Sequence, residues 1–310
     1  MTIVVAGGTG LAGSAIVRAY QATGAEVIAV NRTVVDLLDR DATTAFLKKT
    51  KPKLVVDAAA KVGGIGANNA FPVEFLSDNV RIQSNLMEAA HAADVEKFIF
   101  LGSSCIYPRD CAQPIKEEYL LTGPLEETNS AYAIAKIAGI ELIKSFRKEY
   151  GRKWISLMPT NLYGPRDNFE LQGSHVLPAF IRRFVEAKES GRAKETLWGS
   201  GAPMREFLHV DDLASAVVLA GEKYDSAEHM NVGSGEDQTI KALAELVANL
   251  AGFKGEIAWD SSKPDGTPRK VLDVTKVKSL GWEPAISLRD GIASTIEWYI
   301  DATAKGVSRR

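Results

Sequence analysis

Thr2-Ile-Val-Val-Ala6 leads directly into Gly7-Gly-Thr-Gly10-Leu-Ala-Gly13, and a helical pattern follows over residues 14–23. The apolar, β-branched run predicts a strand. Glycines at positions 7, 10 and 13 permit a tight turn whose backbone N–H groups approach a pyrophosphate at the start of a helix. This order predicts a dinucleotide-binding βαβ unit, and the alternative is a structural turn that binds no ligand. The predicted contacts are Gly7, Gly8, Thr9, Gly10, Leu11, Ala12 and Gly13.

A second strand is predicted over Glu26-Val-Ile-Ala-Val30, and it ends in Asn31-Arg32. A site for NAD(H) would place Asp or Glu here to bind the ribose hydroxyls. An arginine pairs instead with a 2′-phosphate, so Arg32 favours NADP(H). The alternative is a solvated loop arginine. Asp36-Leu-Leu-Asp39 follows and would edge the adenine pocket.

The next segments continue the alternation of strand and helix. Strands are predicted at 52–60 and 97–101, and a helix at 78–93. Lys61-Val-Gly-Gly-Ile-Gly66 lies between them, and its three glycines indicate a close approach to another segment or unusual backbone. The alternation predicts an α/β fold with a Rossmann-type, doubly wound parallel sheet, whose ligands sit at the carboxyl ends of the strands.

Composition narrows the class of protein. A length of 310 residues suggests one large or two closely joined domains. The net charge of -2 provides no basic field for nucleic acid or for an anionic membrane. Two cysteines, Cys105 and Cys111, form no disulfide framework, so a reducing, cytoplasmic location is expected. No signal peptide, membrane span or metal site is predicted.

Tyr132-Ala-Ile-Ala-Lys136 lies in a helical pattern, which puts its tyrosine and lysine on one face. A fixed ammonium near a phenol favours the tyrosinate, and we expect it to lower the tyrosine pKa toward the working range. The pair therefore predicts a proton shuttle. The alternative is an exposed helix with a lysine beside an interfacial tyrosine.

Gly102-Ser-Ser-Cys-Ile-Tyr-Pro108 follows the strand that ends at residue 101. If the chain stays extended here, Ser103 and Cys105 point to the same side. Ser103 would then hydrogen-bond a substrate oxygen, and Cys105 would transfer a proton if its thiol were activated. The alternatives are a turn serine and a small buried cysteine, and residue type alone favours the second for Cys105.

Ser103, Tyr132 and Lys136 behind an N-terminal glycine motif resemble the extended short-chain dehydrogenase/reductase family. The resemblance covers nearly the whole chain and is strongest to the members that epimerise and reduce GDP-sugars. The runs that carry it are Gly102–Pro108, Ser130-Ala-Tyr-Ala-Ile-Ala-Lys-Ile-Ala-Gly139, Met158-Pro-Thr-Asn-Leu-Tyr-Gly-Pro165, Trp198-Gly-Ser-Gly-Ala-Pro-Met-Arg-Glu-Phe-Leu-His-Val-Asp-Asp212 and Ser262-Lys-Pro-Asp-Gly-Thr-Pro-Arg-Lys270.

The resemblance implies a reaction in which GDP-4-keto-6-deoxy-D-mannose is epimerised at C3 and C5 and then reduced at C4 with NADPH. The C4 ketone acidifies the hydrogens on both neighbouring carbons. Ser103 and Tyr132 would stabilise the enolate oxygen, and Cys105 and His175 would move the C3 and C5 protons. Tyr132 would then protonate the new alkoxide, while Lys136 holds the nicotinamide ribose.

The resemblance also implies the ligand contacts. Further cofactor contacts would be Leu101, Gly102, Lys136, Pro159, Thr160, Asn161, Leu162 and His175. The GDP-sugar would be bound by Arg183, Trp198, Arg205, Asp265 and Lys270. Family members carry a basic residue inside the glycine turn where this chain has Gly8-Thr9, which leaves more of the 2′-phosphate to Arg32. A homodimer formed by the helices at 78–93 and 132–148 is expected.

The remainder of the chain predicts a smaller, mixed α/β lobe. Helices are expected at 174–187, 208–220, 239–251 and 288–300, the second of them capped by Asp211 or Asp212. Strand-and-turn segments are expected at 196–201 and 230–235. We predict a Rossmann domain at 1–165, with part of 205–225 returning to it, and a mainly substrate-binding lobe at 166–310.

Three other functions are compatible with parts of this pattern. A sister epimerase-reductase, for example one that makes GDP-colitose, would share the same catalytic set. A simple 4-epimerase would leave Cys105 and His175 idle. A dinucleotide-sensing regulator on the same fold would have no need to keep Ser103, Cys105, Tyr132, Lys136 and His175 together.

Overall fold

A computed structural model describes residues 1–171, 173–263 and 265–308. Its α-helices are α1 (Leu11–Ala22), α2 (Arg40–Thr50), α3 (Ile65–Ala70), α4 (Pro72–Ala92), α5 (Ser130–Tyr150), α6 (Val176–Glu189), α7 (Val210–Lys223), α8 (Ile240–Ala251), α9 (Thr275–Ser279) and α10 (Leu288–Ala304). Its strands are β1 (Thr2–Ala6), β2 (Glu26–Val30), β3 (Leu54–Asp57), β4 (Lys97–Leu101), β5 (Ile155–Pro159), β6 (Asn161–Tyr163), β7 (Lys194–Trp198), β8 (Met204–His209), β9 (Met230–Val232), β10 (Asp237–Thr239), β11 (Glu256–Asp260) and β12 (Arg269–Lys270).

A six-stranded parallel sheet forms the centre of the molecule, with the order β2-β1-β3-β4-β5-β9. β1, β3 and β4 are almost entirely buried and mostly apolar, with Asp57 at the end of β3 and Lys97 at the start of β4 as the charged exceptions. Strands that helices cover on both faces have this character. Helices α4 and α5 pack on each other, and α1 packs on α7. The predicted doubly wound Rossmann fold is confirmed, and β1, β2 and β4 have the predicted bounds.

Two hydrophobic cores divide the chain. The larger lies around the six-stranded sheet and includes side chains of α7 and β9, so segments well beyond residue 165 complete the first unit. The smaller core is built around Phe169, Phe184, Val247 and Tyr299. The domain boundary between residues 165 and 166 stays a prediction.

The second core is covered by short sheets. β8 pairs with β6, β10 and β12, and β7 pairs with β11. Because β6 follows β5 directly, and β8 runs into α7, these strands connect the second lobe to the carboxyl edge of the large sheet. Ligands of doubly wound folds bind at this edge.

Several local expectations differ from the structure. Helices α2 and α3 and strand β8 were not anticipated, and α4 begins at Pro72 rather than residue 78. The N-cap of α7 is His209, whose ring accepts from the backbone N of Asp211 at 3.3 Å, so the predicted aspartate cap is wrong. Asp212 instead accepts two backbone N–H bonds from the segment before α10, at 3.0 Å each. The Asp212 carboxylate therefore binds backbone groups from a segment far along the chain, and it does not cap its own helix.

Within the described residues, no helix combines the length and the apolar character that a membrane crossing requires.

Candidate active site

The glycine turn between β1 and α1 forms a tight cradle at the carboxyl edge of the sheet. Gly7 has a φ of +71°, which side chains other than glycine rarely adopt. A Cβ at Gly13 would lie 2.1 Å from the Gly7 carbonyl oxygen, so only glycine fits there. The N-terminus of α1 has no side-chain cap and no acidic residue in its first turn. Its free N–H groups and dipole suit the pyrophosphate of a dinucleotide.

Arg32 follows the end of β2 and lies on a turn that hydrogen bonds to the neighbouring Asn31 side chain stabilise. Asn31 Oδ1 accepts from the backbone N of Thr33 at 2.9 Å and from that of Val34 at 3.2 Å. The Arg32 side chain is exposed, and no ion-pair or hydrogen-bond partner for it is present among residues 1–171, 173–263 and 265–308. An unpaired guanidinium at this position suits a 2′-phosphate. These residues fit NADP(H).

The glycine segment after β3 approaches the loop that carries His175. Gly64 N donates to Gly173 O at 3.0 Å, and a Cβ at Gly64 would lie 2.6 Å from Ser174 O. The close approach expected for this segment is therefore present. Unusual backbone is not the reason for it, because Gly64 has an ordinary φ of -66°. Glycine is needed here for space.

Ser103 lies in extended backbone, and a single 3-10 turn over Ser104–Ile106 follows it. The expected extended course to Cys105 is wrong, because Ser103 Oγ accepts from the backbone N of Cys105 at 3.2 Å and bends the chain. The Ser103 and Tyr132 side chains nevertheless lie close together, and the Ser103 hydroxyl lowers the pKa of the Tyr132 phenol. Two hydroxyl groups therefore converge on one point, as stabilisation of an enolate or alkoxide oxygen requires.

Tyr132 lies in the first turn of α5, and its ring makes an edge contact with Phe75, with 6.3 Å between centroids. Although part of the residue remains accessible, desolvation raises the pKa of its phenol well above the ordinary value. The nearby Cys105 also raises this pKa, whereas the neighbouring Ser103 hydroxyl lowers it. Tyr132 is therefore a protonated donor at neutral pH, and the expectation that Lys136 lowers its pKa is wrong for this structure.

Lys136 is buried one helical turn along α5. Its Nζ donates to the carbonyl oxygen of Leu101 at 2.9 Å and lies 5.9 Å from the Tyr132 ring centroid. Burial lowers the pKa of Lys136, and the charge of Asp57 opposes this effect. The two side chains share a helix face as predicted, but the ammonium is directed at the end of β4. This position suits a ligand hydroxyl at the sheet edge.

Cys105 receives a hydrogen bond from Asn129 Nδ2, at 3.5 Å from Sγ. The thiol lines a small cavity of about 20 Å³. Other side chains around this cavity are Arg109, Gln113, Glu126, Thr267, Arg269 and Lys270. Arg205 lies within electrostatic range of both Cys105 and Glu126. The thiol is thus partly accessible, hydrogen-bonded, and close both to cationic side chains and to Glu126.

His175 precedes α6 at its N-cap position, but its ring makes no capping hydrogen bond. The residue is exposed, yet protein atoms around the ring desolvate it and lower its pKa. A neutral imidazole is therefore the dominant form at neutral pH, able to accept a proton. Its loop docks on Gly64, and α3 packs in turn on the 3-10 turn at Glu127–Asn129 that reaches Cys105.

The segment after β5 is held rigidly beside this cluster. Asn161 Nδ2 donates to the carbonyl oxygen of Glu206 at 2.8 Å, and Thr160 N donates to Val232 O at 3.0 Å. The Glu206 carboxylate is fully buried and accepts from Gly235 N at 2.7 Å and Leu272 N at 2.9 Å. Pro159 and Leu162 belong to the same wall as members of β5 and β6.

The predicted sugar-nucleotide residues fall into two groups. Arg205 and Lys270 are register partners on β8 and β12, close to Cys105. Arg183 is instead tied within the second lobe, through Glu195 Oε1 at 2.6 Å and Thr196 O at 2.5 Å. Its bonded guanidinium has fewer donors left for a diphosphate than the sequence suggested.

Trp198 and Asp265 lie on the outer part of the second lobe. Trp198 is 71% exposed, and Lys263 Nζ lies 5.7 Å from its ring centroid. Asp265 accepts from Ser200 N at 2.7 Å and from Ser200 Oγ at 2.8 Å. An exposed aromatic face of this kind is available for stacking. Pro264, in the run that carried the family resemblance, lies outside the described residues.

Sequence reasoning missed three side chains of the site. Asn129 carries a signal, since an asparagine just before a helix is common, but its side chain bonds Cys105 instead of capping α5. Glu126 lines the cavity beside Cys105. Asp57 ends an otherwise apolar strand and is fully buried. Among the described residues, no cluster of three or more His, Cys, Asp or Glu side chains could hold a metal ion.

Curated proteins and solved structures that resemble this chain over almost its whole length include enzymes of GDP-sugar synthesis. GDP-L-fucose synthase 1 of Arabidopsis thaliana is 52% identical over 299 residues, covering 96% of this chain and 93% of that protein. GDP-L-colitose synthase of Yersinia pseudotuberculosis is 36% identical over 303 residues, covering 97% of this chain and 98% of that protein. A solved structure of a GDP-L-fucose synthetase from Naegleria fowleri bound to NADP matches with a TM-score of 0.91 at 29% identity, covering 100% of this chain and 96% of that one.

A family model described as the NAD dependent epimerase/dehydratase family matches residues 3–233. That match includes the glycine turn, Ser103, Tyr132, Lys136 and His175. The resemblance drawn from the sequence motifs is confirmed. On the extent of this match and the full-length similarity of its relatives, the chain belongs to the NAD dependent epimerase/dehydratase family.

Proposed function

We propose that this chain converts GDP-4-keto-6-deoxy-D-mannose to GDP-L-fucose, by epimerisation at C3 and C5 followed by reduction at C4 with NADPH. The observation that carries the proposal is the position of Cys105. Its thiol lies near Tyr132, to which Ser103 is also close, and is itself held by Asn129. A plain ketoreductase needs the hydroxyl pair and the lysine, but it has no use for an additional acid/base group at this point.

Epimerisation requires a carbon acid to lose a proton on one face and regain it on the other. Ser103 and Tyr132 stabilise the oxygen at C4, which becomes an enolate when a neighbouring carbon is deprotonated. Cys105 and His175 transfer the protons at C3 and C5. The lowered pKa of His175 leaves a neutral ring that accepts a proton near neutral pH.

Reduction follows at the same carbonyl. The hydride for C4 comes from NADPH. Tyr132, which burial keeps in the phenol form, protonates the alkoxide oxygen. Lys136 holds the nicotinamide ribose at the edge of β4, where its ammonium already binds the Leu101 carbonyl. The glycine turn and Arg32 hold the pyrophosphate and the 2′-phosphate.

Related sugars are distinguished by their contacts outside this centre. The greater identity to a GDP-L-fucose synthase, 52% against 36% for the GDP-L-colitose synthase, favours the fucose product. A regulator that only senses the dinucleotide would not need the bonds that hold Cys105 and Ser103 in place. A simple 4-epimerase would leave Cys105 and His175 without a task.

The two half-reactions provide the test of this function. In D2O without NADPH, Cys105→Ala and His175→Ala should lose deuterium uptake at C3 and C5, followed by NMR. Tyr132→Phe should keep part of this uptake, because Ser103 still binds the enolate, but should lose NADPH oxidation. Deletion of an acid/base group typically costs about 10²–10⁴-fold, so the contrast is measurable. Wild-type exchange in both Cys105→Ala and His175→Ala would indicate a plain ketoreductase.

We also propose a homodimer through α4 and α5. Val73 and Leu76 on α4 and Ile134 on α5 are large apolar residues with exposed fractions of 75%, 36% and 48%. These two helices pack on each other. A second copy of the chain would cover their exposed apolar side chains. Light scattering at micromolar protein should give twice the monomer mass, and Ile134→Lys should reduce it. A monomer in the wild type would contradict this proposal.

A cytoplasmic location is proposed on the state of the thiols. Cys105 and Cys111 are both free and partly accessible. Free thiols of this kind persist in reducing compartments. Cell fractionation of the producing organism, with detection of the protein in the cytoplasmic fraction, tests the proposal.

A further inference from the structure

Asp57 is a carboxylate buried at the end of the central strand β3, and it is 0% exposed. Its Oδ1 accepts from the backbone N of Ala59 at 3.1 Å. Its Oδ2 is enclosed and has no hydrogen-bond partner within the described part of the chain. Burial of an ionisable group in this way costs free energy, and groups of this kind cluster at functional sites.

The sheet register places Asp57 beside the catalytic lysine. Asp57 pairs with Phe100 on β4, and side chains in register on neighbouring strands project to the same face. Lys136 Nζ lies 4.8 Å from the centroid of the Phe100 ring. Its hydrogen-bond acceptor, Leu101 O, is neutral and does not balance the buried ammonium. Within the described residues, Asp57 is the charge whose field reaches Lys136.

We propose that Asp57 is a positioning residue for the reduction step, whose buried carboxylate keeps Lys136 charged at the carboxyl end of β4. The inference rests on the proposed reductase activity. A fixed negative charge raises the pKa of an ammonium, and it also raises the pKa of a phenol. The Asp57 charge raises the pKa of Lys136, against the effect of burial. For Tyr132 it is the smallest of the causes that raise the pKa, and burial already keeps the phenol protonated.

The groups around this cluster determine its pH dependence. Lys136 and Tyr132 face Asp57 from α5, and Cys105 faces Tyr132 from the turn after β4. Helix α4 contributes the neutral Gln83 at the contact with α5. Burial raises the pKa of Asp57 to about 6, although Lys136 lowers it in part. The carboxylate is therefore ionised at neutral and alkaline pH.

Loss of the Asp57 charge should change only the alkaline limb of the pH profile of the reduction. In Asp57→Asn, Lys136 releases its proton at lower pH, so the alkaline limb of the reduction should move to lower pH, whereas burial keeps Tyr132 protonated throughout. The acid limb should stay in place, because both neighbours keep their protons below pH 6 whatever the charge of Asp57. A merely structural role would lower the rate by a similar factor at every pH.

The test compares the wild type with Asp57→Asn, which keeps an oxygen for the Ala59 N–H, and with the control Asp41→Asn on the exposed face of α2. Three quantities are measured between about pH 6 and about pH 10. These are kcat/KM for NADPH oxidation with the keto sugar, the Kd of NADPH by fluorescence, and the ¹³Cε resonance of Lys136, assigned with Lys136→Gln. In Asp57→Asn alone, the midpoints of the alkaline limb and of the Lys136 titration should move to lower pH by about one unit. Such a shift is a tenfold change in the proton equilibrium.

The wild type provides a second test should Asp57→Asn fail to fold. Its Lys136 resonance should respond to the titration of Asp57 near pH 6, and no response there would overturn the proposal. An unshifted limb, or an equal loss at every pH, would overturn it as well. If the wild type oxidised no NADPH with the keto sugar, the proposed function would fall, while the lysine titration would still decide the role of Asp57.

Discussion

Substitution of Gly64 by alanine should disable His175 from a distance. The new Cβ would lie 2.6 Å from the carbonyl oxygen of Ser174, where ordinary contact begins at 3.4 Å. Backbone strain does not contribute, because the φ of -66° and ψ of 178° at Gly64 suit alanine. The loop must therefore retreat by about 0.8 Å, since the obstructing atom is backbone.

The size of the effect follows from this displacement. The shift carries His175 with Ser174 and also breaks the bond from Gly64 N to Gly173 O. When a catalytic group is misplaced by about 1 Å, the reaction rate falls on the order of 100-fold. The rate of proton exchange should therefore fall by roughly 10–100-fold. Overpacking and the lost bond should lower the free energy of unfolding by about 1–3 kcal/mol. NADPH binding should be retained.

Deuterium uptake at C3 and C5 in D2O without NADPH measures the loss, and circular dichroism with NADPH fluorescence shows that the variant is folded. Gly173→Ala is the matched control from the same contact. The nearest atoms to its Cβ would be Glu170 Oε2 at 3.2 Å and Asn168 Nδ2 at 3.8 Å, which lie at the ends of side chains rather than in the backbone. Wild-type exchange in folded Gly64→Ala, or an equal loss in Gly173→Ala, would refute the reasoning.

Two further predictions concern charge. Arg32→Ala should raise the Kd of NADPH by roughly 10–100-fold, which is the contribution of a charge-assisted hydrogen bond. The Kd of NADH should stay unchanged. Equal affinity of the wild type for NADPH and NADH would contradict this prediction. Asp57 binds its proton more tightly in the folded chain, with a pKa of about 6 against an ordinary 3.8, so it costs stability as pH rises through this window. The full cost is about 3 kcal/mol, of which about half is incurred between pH 5 and pH 8. The free energy of unfolding of Asp57→Asn, measured with denaturant, should therefore rise relative to that of the wild type by about 1–2 kcal/mol over that range. Parallel pH curves would exclude the raised pKa of Asp57.

The sequence was sufficient for features that depend on local periodicity. The βαβ unit was predicted from an apolar run, three glycines and a helical pattern, and β1 has the predicted bounds. Tyr132 and Lys136 share a face of α5, because residues four positions apart lie on the same face of any α-helix. Helix α3 escaped prediction, since its six residues include glycine and two asparagines with little intrinsic helix preference.

Only the tertiary structure decided the chemistry of these residues. Desolvation depends on atoms that arrive from distant segments, so the raised pKa of Tyr132 and the burial of Asp57 beside Lys136 leave no local pattern. The glycines at positions 63 and 64 predicted a close approach to another segment. Only the folded structure shows that this segment is the loop that carries His175. Spacing along the chain determines which side chains share a helix or a strand, whereas the packing of one element on another determines which of them meet, and how strongly each holds its proton.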